Sequence, residues 1–218
     1  AESRQQNHAL YNRLRTYQTQ PRMDIWRREL IWAWNQALWD APSKVLAKAD
    51  PDPRLLLTTQ LAPELAGVSH ELIMISAYFV PGQPGLVYLT GRADAGVSVR
   101  LTNALEATDV PAVHGGYAPY RKALLEHGVK LYELRRQPGD PSASSGPHLF
   151  RHGSWRGSDS SLHSKAMIFD RQKAFIGSFN FDPRSVLWNT EVGVLVDSPE
   201  LAGHVRELAL QGMAPALS

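Results

Sequence analysis

The sequence predicts an α/β layered domain, a mixed β-sheet flanked by helices. Strand-like and helical segments alternate through most of the chain, and strand-like runs then follow one another between 161 and 197. At 218 residues and 43% hydrophobic, the chain has enough apolar side chain for one good core. Residues 1–21 stand apart as a helix or linker, and residues 22–218 form the domain, with a long loop at 135–161 inside it.

Leu10, Leu14 and Tyr17 recur at helical spacing in a polar opening segment. Residues 25–39 hold Trp26, Trp32, Trp34 and Trp39 beside Arg27 and Arg28, read as core or interdomain packing in preference to a membrane belt. A turn rich in Asp and Pro follows at 50–53, and Glu64–His70 reads as a helix end. Leu72–Val80 is a continuous apolar run, the mark of a buried strand, ended by Pro81-Gly82. Gly85–Ala95 is expected to be helical and Val97–Thr102 a strand. Tyr117–His127 reads as a helix stopped by Gly128, before a strand at Val129–Leu134. Three strands are expected in 161–197. Ser198-Pro199 then opens a last helix with Leu201, Val205 and Leu208 inward.

Composition excludes several classes. The net charge of +2, from 23 basic and 21 acidic residues, is not that of a dedicated nucleic-acid binder. Without cysteine there are no disulfides and no thiolate metal sites. No apolar run approaches the length of a membrane-spanning helix. Arg135 to Ser161 is rich in Pro, Gly and Ser and too long for an ordinary connection. It carries Phe150, Arg151, Trp155 and Arg156, and reads either as an access loop for a lipid headgroup or as a plain solvent loop.

The chemistry concentrates near the C-terminal end. His163, Lys165 and Asp170 stand in H-x-K-x-x-x-x-D, followed by Gly177-Ser178-Phe179-Asn180 and by Glu191 in Asn-Thr-Glu. On a strand His163 and Lys165 point to one face, while Asp170 has the opposite parity and reads as a carboxylate tying down backbone amides or a turn. Ser178 and Asn180 share a face of the following run. An imidazole, an ammonium, a hydroxyl and an amide then converge, a set suited to a phosphodiester. The imidazole attacks phosphorus or moves a proton. Lys165 neutralises phosphate oxygens, and Ser178 and Asn180 donate hydrogen bonds to them. Glu191 is placed to fix the tautomer of His163. Plainer roles stand beside these: turn chemistry for Ser178 and Asn180, and ordinary ion pairing for Glu191. Arg184 either contacts a second phosphate or anchors a nearby carboxylate. No Asp/Glu/His cluster suits a pair of metal ions, so a metal-independent reaction with no cofactor is expected.

These residues resemble the phospholipase D superfamily, whose signature is H-x-K-x-x-x-x-D followed by G-S-x-N. The three-residue pattern alone should arise by chance in about one chain in a hundred of this size. Gly-Ser-x-Asn at the right distance, with Glu191 beyond, makes it specific. Gly177-Ser-Phe-Asn-Phe-Asp-Pro-Arg-Ser185 and Asn189-Thr-Glu-Val-Gly193 are similar to the second motif of bacterial cardiolipin synthases of the C-type branch. Ile75-Ser-Ala-Tyr-Phe-Val-Pro-Gly82 and Asp109-Val-Pro-Ala-Val-His-Gly-Gly-Tyr117 extend the likeness upstream.

The resemblance implies a phospholipase D-like fold and a phosphatidyltransferase acting on phospholipids, phosphatidylglycerol and phosphatidylethanolamine among them. It implies catalytic roles for His163, Lys165, Asp170 and Glu191, with Lys165, Ser178, Asn180 and Arg184 holding substrate. Single-chain members carry the motif twice, but no other histidine here is followed two places on by lysine. The chain also opens with Ala1. The expectation is therefore the C-terminal half of a longer bacterial protein, with the first motif in an N-terminal partner half, acting at the periphery of the inner membrane and inactive alone. Rival expectations are a phosphodiesterase or nuclease working as a dimer, and a silent fragment docking to a partner or membrane.

Overall fold

A computed structural model of the chain describes residues 30–46, 52–103, 111–133 and 164–213. The expected helix or linker at 1–21, the loop at 135–161, Trp26 and His163 lie outside them. The chain divides into two compact units, Ala1–Trp32 and Ala33–Ser218, and the second carries the architecture.

Seven strands form one sheet: β1 (Trp34–Trp39), β2 (Glu71–Ile75), β3 (Ser98–Asn103), β4 (Lys130–Glu133), β5 (Lys165–Phe169), β6 (Lys173–Gly177) and β7 (Val192–Asp197). The helices are α1 (Leu57–Gly67), α2 (Gly82–Asp94), α3 (Pro111–Glu126), the short α4 (Pro183–Leu187) and α5 (Pro199–Met213). The sheet order is β1-β7-β6-β5-β2-β3-β4. β2, β3 and β4 run parallel because α2 and α3 return the chain between them. The other neighbouring pairs are antiparallel.

Strand alternation divides the core into two layers. Leu72, Met74, Val99, Leu101, Met167, Phe169, Phe175, Leu195 and Leu38 face α1, α2 and α3, meeting Leu57, Leu61, Leu89, Tyr117 and Leu124. Ile73, Ile75, Ala166, Ile168 and Ala174 face α5 through Ala202, Ala209 and Met213. β2 and β5 are buried along their whole length because both faces are covered.

Several expectations change. The apolar run from Leu72 leaves the sheet after Ile75, and Phe79 then makes only a bridge to Phe181. The Tyr78 N–H is taken by the Asn180 side chain (3.2 Å), which ends the ladder there. On α5 Ala202, Ala209 and Met213 are buried and Val205, expected inward, packs partly buried beside them, whereas Leu208 is 39% exposed. Two alanines let the helix sit against the sheet, which shifts the buried stripe from the larger residues. Trp34 and Trp39 are 65% and 54% exposed and not part of the core, because β1 is an edge strand that buries only Leu38.

The β5–β6 connection shows how local strain is held. Asp170 and Arg171 have φ of 51° and 61°, and the Gln172 N–H donates to the Phe169 carbonyl (2.9 Å). Such a turn favours the sheet twist but disfavours residues with a Cβ. The Asp170 carboxylate compensates by accepting from the Ser69, His70 and Glu71 N–H groups and the Ser69 hydroxyl.

Glu71 is a second anchor. Its carboxylate is 4% exposed and accepts from Arg100, Arg171 and Arg206. Burial pushes its carboxyl up, but hydrogen bonds from Arg206 and Arg171, and their charges, outweigh this and lower it to about 2. The stabilisation is fully present above the ordinary glutamate value of 4.5 and is lost as the pH falls toward 2. At pH 7 Glu71→Gln should cost about 3–5 kcal/mol. Melting temperatures of native and variant chains should converge between pH 4.5 and 2, whereas a constant gap would place the stabilisation elsewhere.

Candidate active site

The site forms where three antiparallel strands meet at one end of the sheet. Lys165 opens β5, opposite Gly177 of β6, which in turn faces Gly193 of β7. A Cβ on Gly177 would lie 2.7 Å from Gly193 Cα, so glycine is required for the strands to close. Ser178 and Asn180 follow β6, and Glu191 precedes β7. A cavity of about 420 Å³ is lined by Lys165, Gly177, Ser178, Asn180, Asn189 and Glu191. Four of the residues singled out in the sequence therefore share one wall.

Each is fixed by identifiable contacts. Lys165 is 7% exposed. Burial pulls its ammonium below the usual lysine range, while the charges of Glu191 and Asp182 oppose that shift. The Ser178 N–H donates to the Val192 carbonyl (2.8 Å), its hydroxyl donates to the Glu191 carboxylate, and its oxygen accepts the Val192 N–H (3.1 Å). The Asn180 Oδ1 accepts the Tyr78 N–H, and the Asn180 N–H donates to the Ser185 hydroxyl (3.3 Å). Its side-chain carbonyl is thus occupied by backbone, and among the described residues its NH₂ end is not.

Glu191 is held from behind by a buried ion pair. Asp40 Oδ2 accepts the Glu191 N–H (2.9 Å), and the Asp40 N–H donates to the Glu191 carbonyl (2.9 Å). Lys44 Nζ donates to Asp40 Oδ2 (2.7 Å) and to the Ser185 carbonyl (2.8 Å). Asp40 Oδ1 accepts the Leu57 N–H at the start of α1 (2.8 Å). Both charged side chains are 1% exposed. Asp182 caps α4 through the Ser185 N–H (2.8 Å), and burial raises its carboxyl above the usual range.

The remaining residues lie elsewhere. Asp170 is past the far end of β5, in the wall of a different cavity with Glu71, Arg100 and Arg171. Arg184 is on α4, outside the cavity wall, and its charge acts on Asp182. Sequence reasoning missed Asp40, Lys44, Asp182 and Asn189. Asn189 and Asp182 sit within the quoted motif segments, and Asp40 and Lys44 carry the i,i+4 spacing of an ion pair. Nothing in those spacings points to Glu191. Among the described residues, no group of three or more His, Asp or Glu side chains is arranged to hold a metal ion.

Comparison with known proteins bears on this arrangement. Residues 61–211 match the family model described as cardiolipin synthase, PLD-like domain. The chain is 40% identical over 188 residues to cardiolipin synthase C of Escherichia coli (strain K12), covering 86% of this chain and 38% of that protein. It is 31% identical over 149 residues to cardiolipin synthase B of Salmonella typhi, covering 68% of this chain and 30% of that one. The chain thus spans well under half the length of these relatives. Among solved structures it is similar to Nuc from Salmonella typhimurium, a phospholipase D family member, with a TM-score of 0.57 at 15% identity, covering 83% of this chain and 93% of that one. It is also similar to the phosphatidylserine synthase of Haemophilus influenzae Rd KW20, with a TM-score of 0.53 at 11% identity over 82% and 38% of the two chains. These likenesses show the fold.

The buried pair yields a test. Lys44→Met leaves the Asp40 carboxylate buried and uncompensated, and should cost about 3–5 kcal/mol in urea denaturation. Adding Asp40→Asn should recover part of that loss, as expected for coupled partners. Strict additivity would show that the two act independently.

Proposed function

The chain belongs to the cardiolipin synthase, PLD-like domain family, and on that footing we propose that it is one half of a phosphatidyltransferase. The full enzyme moves a phosphatidyl group from one phospholipid onto a hydroxyl of another, such as the glycerol head of phosphatidylglycerol. The observation that carries this reading is the convergence of Lys165, Ser178, Asn180 and Glu191 on one cavity, with Lys165 two positions beyond His163 in sequence.

In the proposed cycle a histidine of the other half attacks phosphorus. The bond from phosphorus to the leaving alcohol breaks, and protonated His163 gives its proton to that oxygen. Neutral His163 then takes the proton of the acceptor hydroxyl. The acceptor oxygen attacks phosphorus and the P–N bond breaks, restoring both histidines. Lys165 neutralises the nonbridging oxygens, and the Asn180 NH₂ donates to them. Ser178 begins bonded to Glu191. Substrate entry exchanges that bond for one to phosphate and frees Glu191 to accept the His163 ring N–H. Asp170 serves indirectly, by holding the turn that ends β5, and Arg184 by its charge on Asp182.

Action at the inner-membrane periphery fits the surroundings of the site. Leu187 and Trp188 are 53% and 64% exposed and immediately precede Asn189 of the cavity wall. They suit contact with lipid or with the other half. No helix among the described residues is long and apolar enough to cross a membrane.

Lipid product analysis by mass spectrometry tests the reading, using phosphatidylglycerol vesicles with the chain alone and with the full-length protein. The full-length protein should form cardiolipin and the chain alone should not. His163→Ala should lower turnover by roughly 100- to 10,000-fold with the fold intact. Cardiolipin from the chain alone would mean that two copies pool their histidines. Absence of product from both would exclude this reaction.

A further inference from the structure

The cavity at the far end of β5 has a composition that core packing does not require. It encloses about 520 Å³ and is lined by His70, Glu71, Ser98, Arg100, Asp170 and Arg171. Five residue steps of strand separate Asp170 from Lys165, roughly 17 Å, so it is separate from the candidate active site. We propose that this cavity binds a phosphate group, as a free ion or as the headgroup of an anionic lipid.

Excess positive charge and unused guanidinium donors characterise this wall. Glu71 is bonded by Arg100 (2.6 Å), Arg171 (3.0 Å) and Arg206, which reaches both carboxylate oxygens from α5. Three guanidinium groups set against the Glu71 and Asp170 carboxylates leave one positive charge in excess, with Arg206 approaching Glu71 from outside the cavity lining. Asp170 is the second acid in the wall, but its oxygens already accept from three backbone N–H groups and the Ser69 hydroxyl. The acids are therefore filled while the bases are not. A guanidinium carries five N–H groups. Among the described residues, Arg100 and Arg171 each spend one and Arg206 spends two.

The donor set has the chemistry of phosphate recognition. Planar guanidinium forks match phosphate oxygens, and their charge strengthens each hydrogen bond. Ser98, opposite Glu71 in register, brings a hydroxyl to the same wall, and His70 brings an imidazole.

Nuclear magnetic resonance of the ¹⁵N-labelled chain gives the test. Lys165→Met silences the other anion site, and inorganic phosphate is titrated in at constant ionic strength. Saturable shifts are expected at the amides of residues 69–71, 98–100 and 170–171. Arg171→Gln on the same background should weaken the affinity at least fivefold. The Arg171 side chain is 60% exposed, so the fold should survive, which a melting curve checks. Cosedimentation with phosphatidylglycerol against phosphatidylcholine vesicles separates the sources. Loss of phosphatidylglycerol binding in Arg171→Gln assigns the site to a lipid headgroup. Unchanged vesicle binding with weakened phosphate affinity assigns it to a soluble phosphate. No saturable shift at these amides, or equal phosphate affinity in Arg171→Gln, overturns the proposal.

Discussion

The arrangement of the candidate site depends on the buried ion pair of Asp40 and Lys44. Its two side chains meet three separate stretches of chain: the start of α1 through the Leu57 N–H, the segment before β7 through the Glu191 N–H, and α4 through the Ser185 carbonyl, while the Asp40 backbone N–H holds the Glu191 carbonyl. Two charges removed from water lose several kcal/mol of hydration each, and are tolerable only where hydrogen bonds replace it. Here the Asp40 oxygens take three donors and Lys44 finds two acceptors. An apolar pair of similar volume would fill the space but would not fix the backbone of Glu191. Position, more than stability, is what the pair supplies.

The sheet supplies the other half of the geometry. β5 is covered on both faces and β6 is paired along both edges, so Lys165 is held at the end of β5 as part of a rigid ladder. The ladder then opens, and the polar groups of the motifs occupy the space where backbone pairing stops. Phe175 fills the gap left by Gly193, and Gly177 lets β7 close against β6. The opposite end of the same strands is governed by Asp170 and Glu71, which fasten the β5–β6 turn to the start of β2. A single strand thus links two polar ends through an apolar middle.

Much of this was legible in the sequence. The central strands show as apolar runs because both faces are buried. Asp170 ties down backbone amides as its reading from the sequence expects, but it sits in the turn past β5, so distance along the strand and not strand face separates it from Lys165. Other features were not legible, for physical reasons. β1 is an edge strand with one buried side chain, so it has no apolar pattern. The inward stripe of α5 is set by close approach to the sheet, which favours Ala202 and Ala209 over Leu208. Asp40 reaches Glu191 across 151 positions of sequence, and no local spacing encodes that contact. The bond from the Ser178 hydroxyl to Glu191 joins the end of β6 to the segment before β7 across 13 positions, and no local spacing encodes it either.

The central claim is that a histidine outside this chain carries the phosphatidyl group while His163 moves the proton. The most direct measurement is mass spectrometry of the full-length protein after rapid denaturing quench during turnover of phosphatidylglycerol, with the adduct located by peptide. A phosphatidyl adduct is expected on a histidine of the other half, formed much more slowly when His163 is replaced by Ala. An adduct on Ser178, or steady product formation with no protein adduct, would contradict it.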